Sequence, residues 1–414
     1  MFNNLHRDEV FTAGGQPYVT YVERESLHIE RNLARALATP NQIVSVSGPT
    51  KTGKTVLCKR VLGDKEYIWI DGGQISSTTQ FWERVSSELS IAIVTEFTTE
   101  NLTGQQVGIS AHIVTASGSR LKKQSSKAVI STSSMAQAVN KIITEKIVLV
   151  IDNFHYMDAQ IRTDIMRNVK GAVFNGMKVL LLSVTHRAFD AIKAEPELTG
   201  RFTAITLPDW HLSDLKRIPE QGFGALRSNC PTNIVEEFSN EAQQNPFLMQ
   251  KFCWELCFDL NIERAKPFGR HDIPSDFNTK VMFARIAQDA GLPVYQKLVA
   301  GPQSRKTRNP RPLRQGEKVD IYQVILLGLA ETGPKPTVSY EELRDKLTSL
   351  LSDLIPQKNE ITSALKHLGS LSKKSGLELA IDWDEDKREI NIVDPYLRFF
   401  LRWQVRSEGL VTTA

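Results

Sequence analysis

Residues 43–60, IVSVSGPTKTGKTVLCKR, constrain the fold of this chain more than any other stretch. The run begins with apolar, β-branched residues typical of a buried strand and ends in a segment compatible with a helix. Between them, residues 48–55 fit the spacing GxxxxGK[ST] of a phosphate-binding loop. In such a loop, glycines let the backbone wrap an anion, amides at the helix N-terminus face the phosphates, a lysine neutralises charge and a threonine hydroxyl ligates Mg²⁺. The predicted nucleotide-binding residues are Gly48, Thr50, Lys51, Thr52, Gly53, Lys54, Thr55 and Val56.

The length and charge of the chain limit the number of domains and the kinds of partner that it can have. At 414 residues it is too long for one ordinary hydrophobic core, so two or three domains are expected. Its 51 basic and 47 acidic residues leave a net charge of +4, which permits contact with nucleic acid but does not argue for it. Any basic surface must therefore be local.

The cysteines and the hydropathy of the sequence indicate in which cellular compartment the protein is expected. The four cysteines stand singly or at a CxxxC spacing inside an apolar stretch, which favours reduced core thiols over a metal site. No uninterrupted apolar run approaches the length that spans a bilayer, and the polar start MFNNLHRDEV lacks the apolar segment of a secretory signal. We therefore predict a cytoplasmic protein without membrane contact.

Four later segments read as strands that join the strand before the phosphate-binding loop. Residues 66–71 alternate, 146–152 and 177–183 are continuous apolar runs, and 204–207 form a short fourth segment. Helix-compatible segments separate them, as crossovers between parallel strands require. We predict an α/β fold with a five-stranded parallel sheet and a nucleotide at the carboxyl ends of its strands.

The strand 146–152 ends in a carboxylate, Asp152. In phosphate-binding-loop ATPases such an aspartate holds Mg²⁺, so Asp152 and Thr55 are the predicted metal site. The next residue, Asn153, stands where many of these enzymes carry an acid that polarises the attacking water. An asparagine orients a water but cannot take its proton, so we expect slow hydrolysis unless Asp158 or a partner subunit supplies the base.

The segment 95–134 departs from the rest of this region. It is rich in Ser, Thr and Gly, has no helical period and carries a basic cluster near its end. We interpret it as an insertion with a flexible loop or hairpin. It is either a solvated surface loop or a contact to nucleic acid or to a neighbouring subunit.

The second half of the chain reads as three further parts. Residues 209–262 turn helical and begin a predicted helical lid over 209–300, whereas the pattern weakens between 272 and 316. The stretch 304–314, SRKTRNPRPLR, cannot form a regular helix because of its two prolines. We expect an exposed basic linker at 301–318 that either follows a phosphate backbone or is simply solvated. Its cations are Arg305, Lys306, Arg308, Arg311 and Arg314.

From residue 319 onward, three helical segments and two alternating runs predict a winged-helix domain that extends to residue 414. Basic residues on its third helix would suit a duplex groove. The acidic tip of its hairpin, residues 382–386, would repel phosphates. Both DNA binding and protein docking therefore stay open for this domain.

Several motifs resemble those of the STAND and origin-recognition branch of P-loop ATPases, an AAA+-like, archaeal-type group. The stretch YVERE at 21–25 resembles the "(F/Y)VGRE" motif that lines the adenine pocket, which implies nucleotide roles for Tyr21 and Arg24. The stretch QNPFL at 244–248 resembles the "GNPFL" of the helical lid, and implies the same for Asn245 and Pro246. The C-terminal DPYLRFFLR at 394–402 is similar to the "DPFFRFYL" tail.

The same resemblance implies catalytic residues. Ser183 or Thr185 falls at the position of the sensor-1 polar residue, with Arg187 as a second candidate for phosphate contact. LTGRF at 198–202 resembles an "LxGRF" element whose arginine, here Arg201, reaches nucleotide or a neighbour's phosphate; a surface salt bridge is the alternative. The predicted catalytic set is Lys54, Asp152, Asn153, Ser183 and Arg201.

The resemblance covers nearly the whole chain and implies five parts. These are an N-terminal segment (1–40), an ATPase core (41–208), a lid (209–300), the basic linker (301–318) and the winged helix (319–414). The implied cofactors are ATP and Mg²⁺.

Three functions follow from the resemblance. The first is a nucleotide-controlled switch that assembles with copies of itself and engages a protein effector, as in anti-phage defence. The second is a DNA-bound assembly ATPase, similar to regulators of Tn7-type transposition or replication initiators. The third is a scaffold that binds nucleotide without turnover.

Overall fold

The structure, a computed structural model, describes residues 4–91, 95–96, 129–130, 132–302, 308–374 and 380–405. The chain divides into two compact units. The sheet unit comprises Arg24–Pro49 and Gly53–Pro208, and the helical unit comprises Met1–Glu23, Thr50–Thr52 and Asp209–Ala414. The finer division into five parts stays a prediction.

A five-stranded parallel sheet forms the centre of the sheet unit, which confirms the predicted sheet. The spatial order is β2-β3-β4-β1-β5. The three central strands β3, β4 and β1 are buried almost throughout because both of their faces are covered. The strands are β1 (Ile43–Ser47), β2 (Tyr67–Asp71), β3 (Val148–Asp152), β4 (Lys178–Ser183) and β5 (Phe202–Thr206).

Successive residues of each strand point to opposite faces, and each face has its own apolar core. In β3, for example, Leu149 and Ile151 belong to one core while Val148 and Val150 belong to the other. Helices contribute to both cores, so the unit has three layers, α/β/α. The helices are Ile29–Ala38 and Lys54–Leu62 on one face and Thr78–Glu88, Thr132–Thr144 and Ala159–Phe174 on the other, with Asp190–Ala194 after β4.

Only the ends of the predicted insertion fall within the described residues. Thr95–Glu96 pairs antiparallel with Val129–Ile130. Residues 97–128, with the basic cluster noted in the sequence, lie outside the described residues.

The helical unit is built around one large apolar core that draws on the N-terminal segment as well as on the second half of the chain. Its longest helix, Thr279–Ala300, was not expected from the sequence. It packs against Pro395–Phe400 where Gly291 leaves room for Phe400. The other helices before residue 319 are Arg7–Val10, Leu212–Ala225, Thr232–Glu241 and Pro246–Asp259.

The C-terminal part contains the three helices and the hairpin that the sequence predicts. A short strand before the second helix pairs with the hairpin, so the sheet has three antiparallel strands. The helices are Ile321–Glu331, Tyr340–Leu350 and Lys358–Lys374, and the strands are Thr337–Ser339, Ile381–Asp384 and Glu389–Ile392.

None of the helices in the described part of the chain combines the length and the apolarity that crossing a bilayer requires.

Candidate nucleotide-binding site

The predicted phosphate-binding loop leads from β1 directly into the helix Lys54–Leu62. Gly53 caps this helix with φ +96°, a left-handed conformation that favours glycine. Lys51 also has a positive φ, +60°, which is uncommon for a lysine. Gly48 is buried at the end of β1, and Val56 is half-buried in the first helical turn. The loop therefore has the tight backbone and the exposed helix start that anion binding requires.

The ammonium group of Lys54 lies inside the loop. Its Nζ donates hydrogen bonds to the carbonyl oxygens of Gly48 and Pro49, at 2.9 and 2.8 Å. These contacts hold the positive charge over the segment whose amides would face a phosphate. The lysine is therefore where charge neutralisation needs it.

Thr55 and Asp152 meet at the carboxyl ends of the central strands. The hydroxyl Oγ1 of Thr55 donates to Oδ2 of Asp152 at 3.3 Å, and the backbone N–H of Asn153 donates to the other carboxylate oxygen at 2.8 Å. Burial raises the pKa of Asp152, against the lowering effects of the Asn153 amide and of Lys54. A half-buried carboxylate beside a hydroxyl suits a divalent cation, because the cation would offset the cost of the buried negative charge.

Asn153 interacts with a carboxylate that no motif in the sequence points to. Its Nδ2 donates to Oδ1 of Asp71 at 3.1 Å, and the Gly73 amide donates to the same oxygen at 3.0 Å. Asp71 ends β2 and is the register partner of Asp152 in β3. The signal in the sequence was a carboxylate at the end of a strand, but only the strand order shows that β2 and β3 are neighbours.

Asp158, the alternative base, is exposed at the N-cap of the helix Ala159–Phe174. Its side chain does not cap that helix. The carboxylate that accepts a hydrogen bond from the Asn153 side chain is that of Asp71.

Ser183 lies at the carboxyl end of β4, in register with Ser47 at the end of β1. Its Oγ is buried, and no partner for it is found among the described residues. An unsatisfied buried hydroxyl beside the loop is able to hydrogen-bond a ligand there. Thr185 and Arg187 follow in the short turn Thr185–Arg187, where Thr185 is exposed.

Arg201 does not lie with these residues. It immediately precedes β5, whose first residue Phe202 pairs with Ile43 at the start of β1. The phosphate-binding loop follows the opposite end of β1, which is five residues long. A strand rises by about 3.3 Å per residue, so the length of β1 separates Arg201 from the loop. The guanidinium lies over the ring of Phe174 at 4.7 Å. Arg201 and the loop therefore lie at opposite ends of the strands. Contact between Arg201 and a nucleotide, of its own chain or of a neighbour, stays a prediction.

The tip of the loop, Thr50–Thr52, groups with the helical unit. Trp210 Nε1 donates to the carbonyl of Thr52 at 3.1 Å, and Asn245 Nδ2 donates to the carbonyl of Thr50 at 3.2 Å. Asn245 also caps the helix Pro246–Asp259, where Pro246 is the buried first residue. Of the predicted lid pair, it is therefore Asn245 that contacts the loop.

The two residues implied by the N-terminal motif fall in different units. Arg24 is buried in the sheet unit and donates to the carbonyl of Pro208 at 2.9 Å. Tyr21 is half-buried in the helical unit. Their adenine contacts stay predictions.

The basic linker differs from the exposed loop expected from the sequence. Arg311 is 7% exposed and pairs with Glu360, and Arg308 pairs with Asp320. The expectation of an exposed cation is therefore wrong for Arg311, because its guanidinium joins the linker to the helix Lys358–Lys374. Arg314 is exposed, whereas Arg305 and Lys306 lie outside the described residues.

A parallel sheet in this order, with the loop after β1 and a carboxylate at the end of β3, defines the fold of a P-loop NTPase. The comparison with protein families agrees: residues 38–186 match the family described as AAA domain. That segment is therefore similar to AAA domains, and P-loop ATPases bind nucleotide together with Mg²⁺.

Comparison with solved structures finds similarity at low sequence identity. The Walker-type ATPase PABY2304 of Pyrococcus abyssi has a TM-score of 0.53 and 12% identity, over 92% of this chain and 96% of that chain. The Orc1 protein of Aeropyrum pernix, solved in complex with DNA, has a TM-score of 0.46 and 11% identity, over 96% of both chains. The RuvB Holliday junction branch migration motor of Thermotoga maritima has a TM-score of 0.42 and 12% identity, over 89% of this chain and 92% of that chain. No curated protein sequence matches the chain.

Proposed function

We propose that the chain is a Mg²⁺-dependent ATPase of low turnover that acts as a nucleotide-controlled switch. The observation that carries this proposal is the contact between Thr55, at the start of the loop helix, and Asp152, at the end of β3. This contact brings the two predicted metal ligands together beside the lysine that would neutralise phosphate charge. The two ligands come from segments almost a hundred residues apart in the chain.

The residues present fit a nucleotide and its metal. The backbone of Gly48–Thr55 and the Lys54 ammonium would hold the phosphates, and Thr55 with Asp152 would hold Mg²⁺. Bound Mg²⁺ neutralises charge on the transferring phosphoryl group. The buried Oγ of Ser183 supplies a further hydrogen-bonding group at the same edge of the sheet.

Low turnover is proposed because the residue after Asp152 is an amide. Asn153 holds a water through its carbonyl oxygen but does not accept a proton. Its NH₂ group is committed to Asp71, which turns the carbonyl oxygen of the amide away from that carboxylate. The chain therefore has the means to orient a water, while proton acceptance falls to another group.

The switch is proposed because the tip of the loop is held by the helical unit. Hydrogen bonds from Trp210 and Asn245 fix the carbonyls of Thr52 and Thr50. The tip is covalently continuous with the residues that would wrap a phosphate. A change in the loop on nucleotide binding therefore acts directly on the contacts of Trp210 and Asn245.

Self-assembly and an effector are the further parts of the proposal. Arg201 lies at the amino edge of the sheet, away from its own loop, as a residue directed at a neighbour's nucleotide would. The C-terminal helices and three-stranded sheet have the order of a winged helix, which we propose serves as a docking module for a protein partner. In that part Lys366 pairs with Glu385, and His367 contacts the hydroxyl of Tyr322, so each of these two groups has a partner within the fold.

Replacing the loop lysine tests the proposal. Lys54→Ala should weaken nucleotide affinity by about ten- to a hundredfold, the effect of losing a charged hydrogen bond worth roughly 1.5–3 kcal/mol, and should abolish phosphate release. Lys59→Ala is the matched control, since Lys59 is exposed on the same helix and lies over Trp69. Nucleotide binding is measured by calorimetry and turnover by phosphate release. Equal behaviour of the two variants would overturn the enzymatic proposal.

Two further measurements separate the alternatives. Light scattering with and without ATP tests assembly, and a particle mass indifferent to nucleotide contradicts the switch that assembles. A DNA mobility shift that weakens with salt and with Arg314→Ala would favour the DNA-bound alternative. Nucleotide binding without any phosphate release would favour the scaffold.

A further inference from the structure

Lys51, at the tip of the loop, has its ammonium enclosed by residues from distant parts of the chain. Its Nζ lies 5.0 Å from the ring centre of Phe247, 4.9 Å from that of Tyr396 and 3.8 Å from Oδ2 of Asp394. The side chains of Lys51 and Asp394 are only 20% and 9% exposed. Both groups are thus more enclosed than is usual for a lysine and an aspartate, whose charged ends are normally hydrated.

The contacts of Lys51 fall on the first turns of two helices. Phe247 is the second residue of the helix Pro246–Asp259, and Tyr396 is the second residue of Pro395–Phe400, with their rings 5.4 Å apart. Asp394 is the N-cap of the latter helix. Lys51 therefore ties the tip of the loop to the start of the C-terminal helix.

The backbone of Lys51 indicates that these contacts hold it in place. A lysine with φ +60° occupies a region that residues with a Cβ rarely adopt, and such a conformation persists where surrounding contacts impose it. Loss of the contacts would free both the side chain and the backbone of the tip.

We propose that Lys51 and Asp394 form a latch that a bound nucleotide opens. The inference rests on the proposed function, since it requires a phosphate at the loop. The single ammonium of Lys51 is attracted by Asp394 in one state and by the phosphates in the other. Filling the loop therefore draws Lys51 away from Asp394 and loosens the first turn of Pro395–Phe400, which carries the nucleotide signal to the C-terminal segment.

Linkage gives the latch a testable consequence. If nucleotide binding opens the latch, then opening the latch by mutation must strengthen nucleotide binding, because the two equilibria are reciprocal. A residue that merely packs against the loop would show no such gain.

Asp394→Asn opens the latch while keeping the helix cap. Oδ1 of Asp394 accepts from the amides of Tyr396 and Leu397 at 2.7 and 3.0 Å, and asparagine caps helices about as well as aspartate. We expect affinity for Mg–ATPγS, measured by calorimetry on the full chain, to rise about fivefold or more.

The matched control is Asp320→Asn. Asp320 also caps a helix, Ile321–Glu331, and also pairs with a cation, Arg308. This variant removes the same charge from the helical unit and should leave affinity unchanged. If both variants bind Mg–ATPγS like the unmodified chain, or both gain equally, the latch is wrong.

A second variant separates the latch from simple repulsion between Asp394 and phosphate. In a Lys51→Met background the latch no longer exists, so Asp394→Asn should bring no further gain. A gain that persists there would mean repulsion and would overturn the latch.

Hydrogen exchange supplies a readout that does not depend on affinity. Mg–ATPγS should speed amide exchange in Pro395–Phe400 of the unmodified chain and leave it unchanged in Lys51→Met. Equal responses of the two proteins would contradict the latch while leaving the ATPase proposal intact. If the unmodified chain and Lys54→Ala both fail to bind Mg–ATPγS, it is the proposed function that fails, and the latch fails with it.

Discussion

Asn153 shows how one residue sets the chemistry of the site. It adopts φ +53°, ψ +34°, a left-handed conformation that asparagine and aspartate tolerate better than other side chains with a Cβ. Its amide donates to Asp71, and its backbone N–H donates to Asp152. An aspartate at position 153 would fit the backbone, but it would place a third carboxylate beside two others.

Exchanging the two side chains tests this arrangement. Asp71→Asn alone should lower kcat by between about tenfold and a hundredfold. An amide at position 71 can either donate or accept, so it no longer forces the NH₂ group of Asn153 toward itself and the carbonyl oxygen of Asn153 toward the water. The double variant Asp71→Asn/Asn153→Asp restores a donor facing an acceptor and supplies a carboxylate, so its kcat should equal or exceed that of the unmodified chain. Steady-state phosphate release at saturating Mg–ATP measures kcat for both variants.

The control for the exchange is Glu66→Gln, an exposed carboxylate just before β2 that should leave kcat unchanged. Nucleotide affinity should also stay the same in Asp71→Asn. If the double variant is no better than Asp71→Asn, the pairing does not position the water.

At the scale of elements, the site depends on how closely the backbones after β2 and β3 approach each other. A Cβ on Gly72, which follows β2, would lie 2.8 Å from the carbonyl oxygen of Asn153 and 3.1 Å from that of Asp152. Both neighbours are backbone atoms that cannot rotate away. Glycine is therefore what allows β2 and β3 to bring Asp71 and Asn153 together.

Gly72→Ala should destabilise the fold by about 2 kcal/mol and reduce turnover, because relief of the clash moves the backbone that carries Asn153. Gly171→Ala is the contrasting variant, since a Cβ there meets nothing within 4 Å on the exposed side of the helix Ala159–Phe174. It should stabilise by roughly 0.5–1 kcal/mol. Chemical denaturation measures both, and equal effects would show that the contact at Gly72 is relaxed at no cost.

The helix Thr279–Ala300 illustrates where sequence patterns stop being informative. It contains Gly291 and Pro293, which both disfavour a helix interior, so no clear element is predicted there from sequence. Packing overrides these preferences, because Gly291 is what allows Phe400 to approach. The strands of the sheet were predictable because their apolar runs and turn residues are local signals.

At the scale of the whole molecule, the helical unit is assembled from three separate pieces of chain. The N-terminal piece contributes Phe11, which is 1% exposed and lies 5.1 Å from Phe223, ring centre to ring centre. The unit therefore cannot complete its core from residues after 208 alone.

Phe11→Ala should lower the free energy of unfolding by about 3–5 kcal/mol, through lost burial and the cavity left beside Phe223. Tyr18→Ala, in the same piece but 83% exposed, should change it by less than about 0.5 kcal/mol. Thermal and urea unfolding report both. A small effect of Phe11→Ala would mean that the N-terminal piece is dispensable for the core.

The sequence by itself determined the phosphate-binding loop, the apolar strands and the carboxylate Asp152, because each depends on residues adjacent in the chain. Tertiary structure decided which distant groups join them: Asp71 at Asn153 through the order of the strands, Asp394 at Lys51 through helix packing, and the position of Arg201 at the far edge of the sheet. It also turned Arg311 from an expected exposed cation into a buried partner of Glu360. Spacing along the chain fixes local geometry, whereas contacts between segments distant in the chain depend on the register and packing of the complete fold.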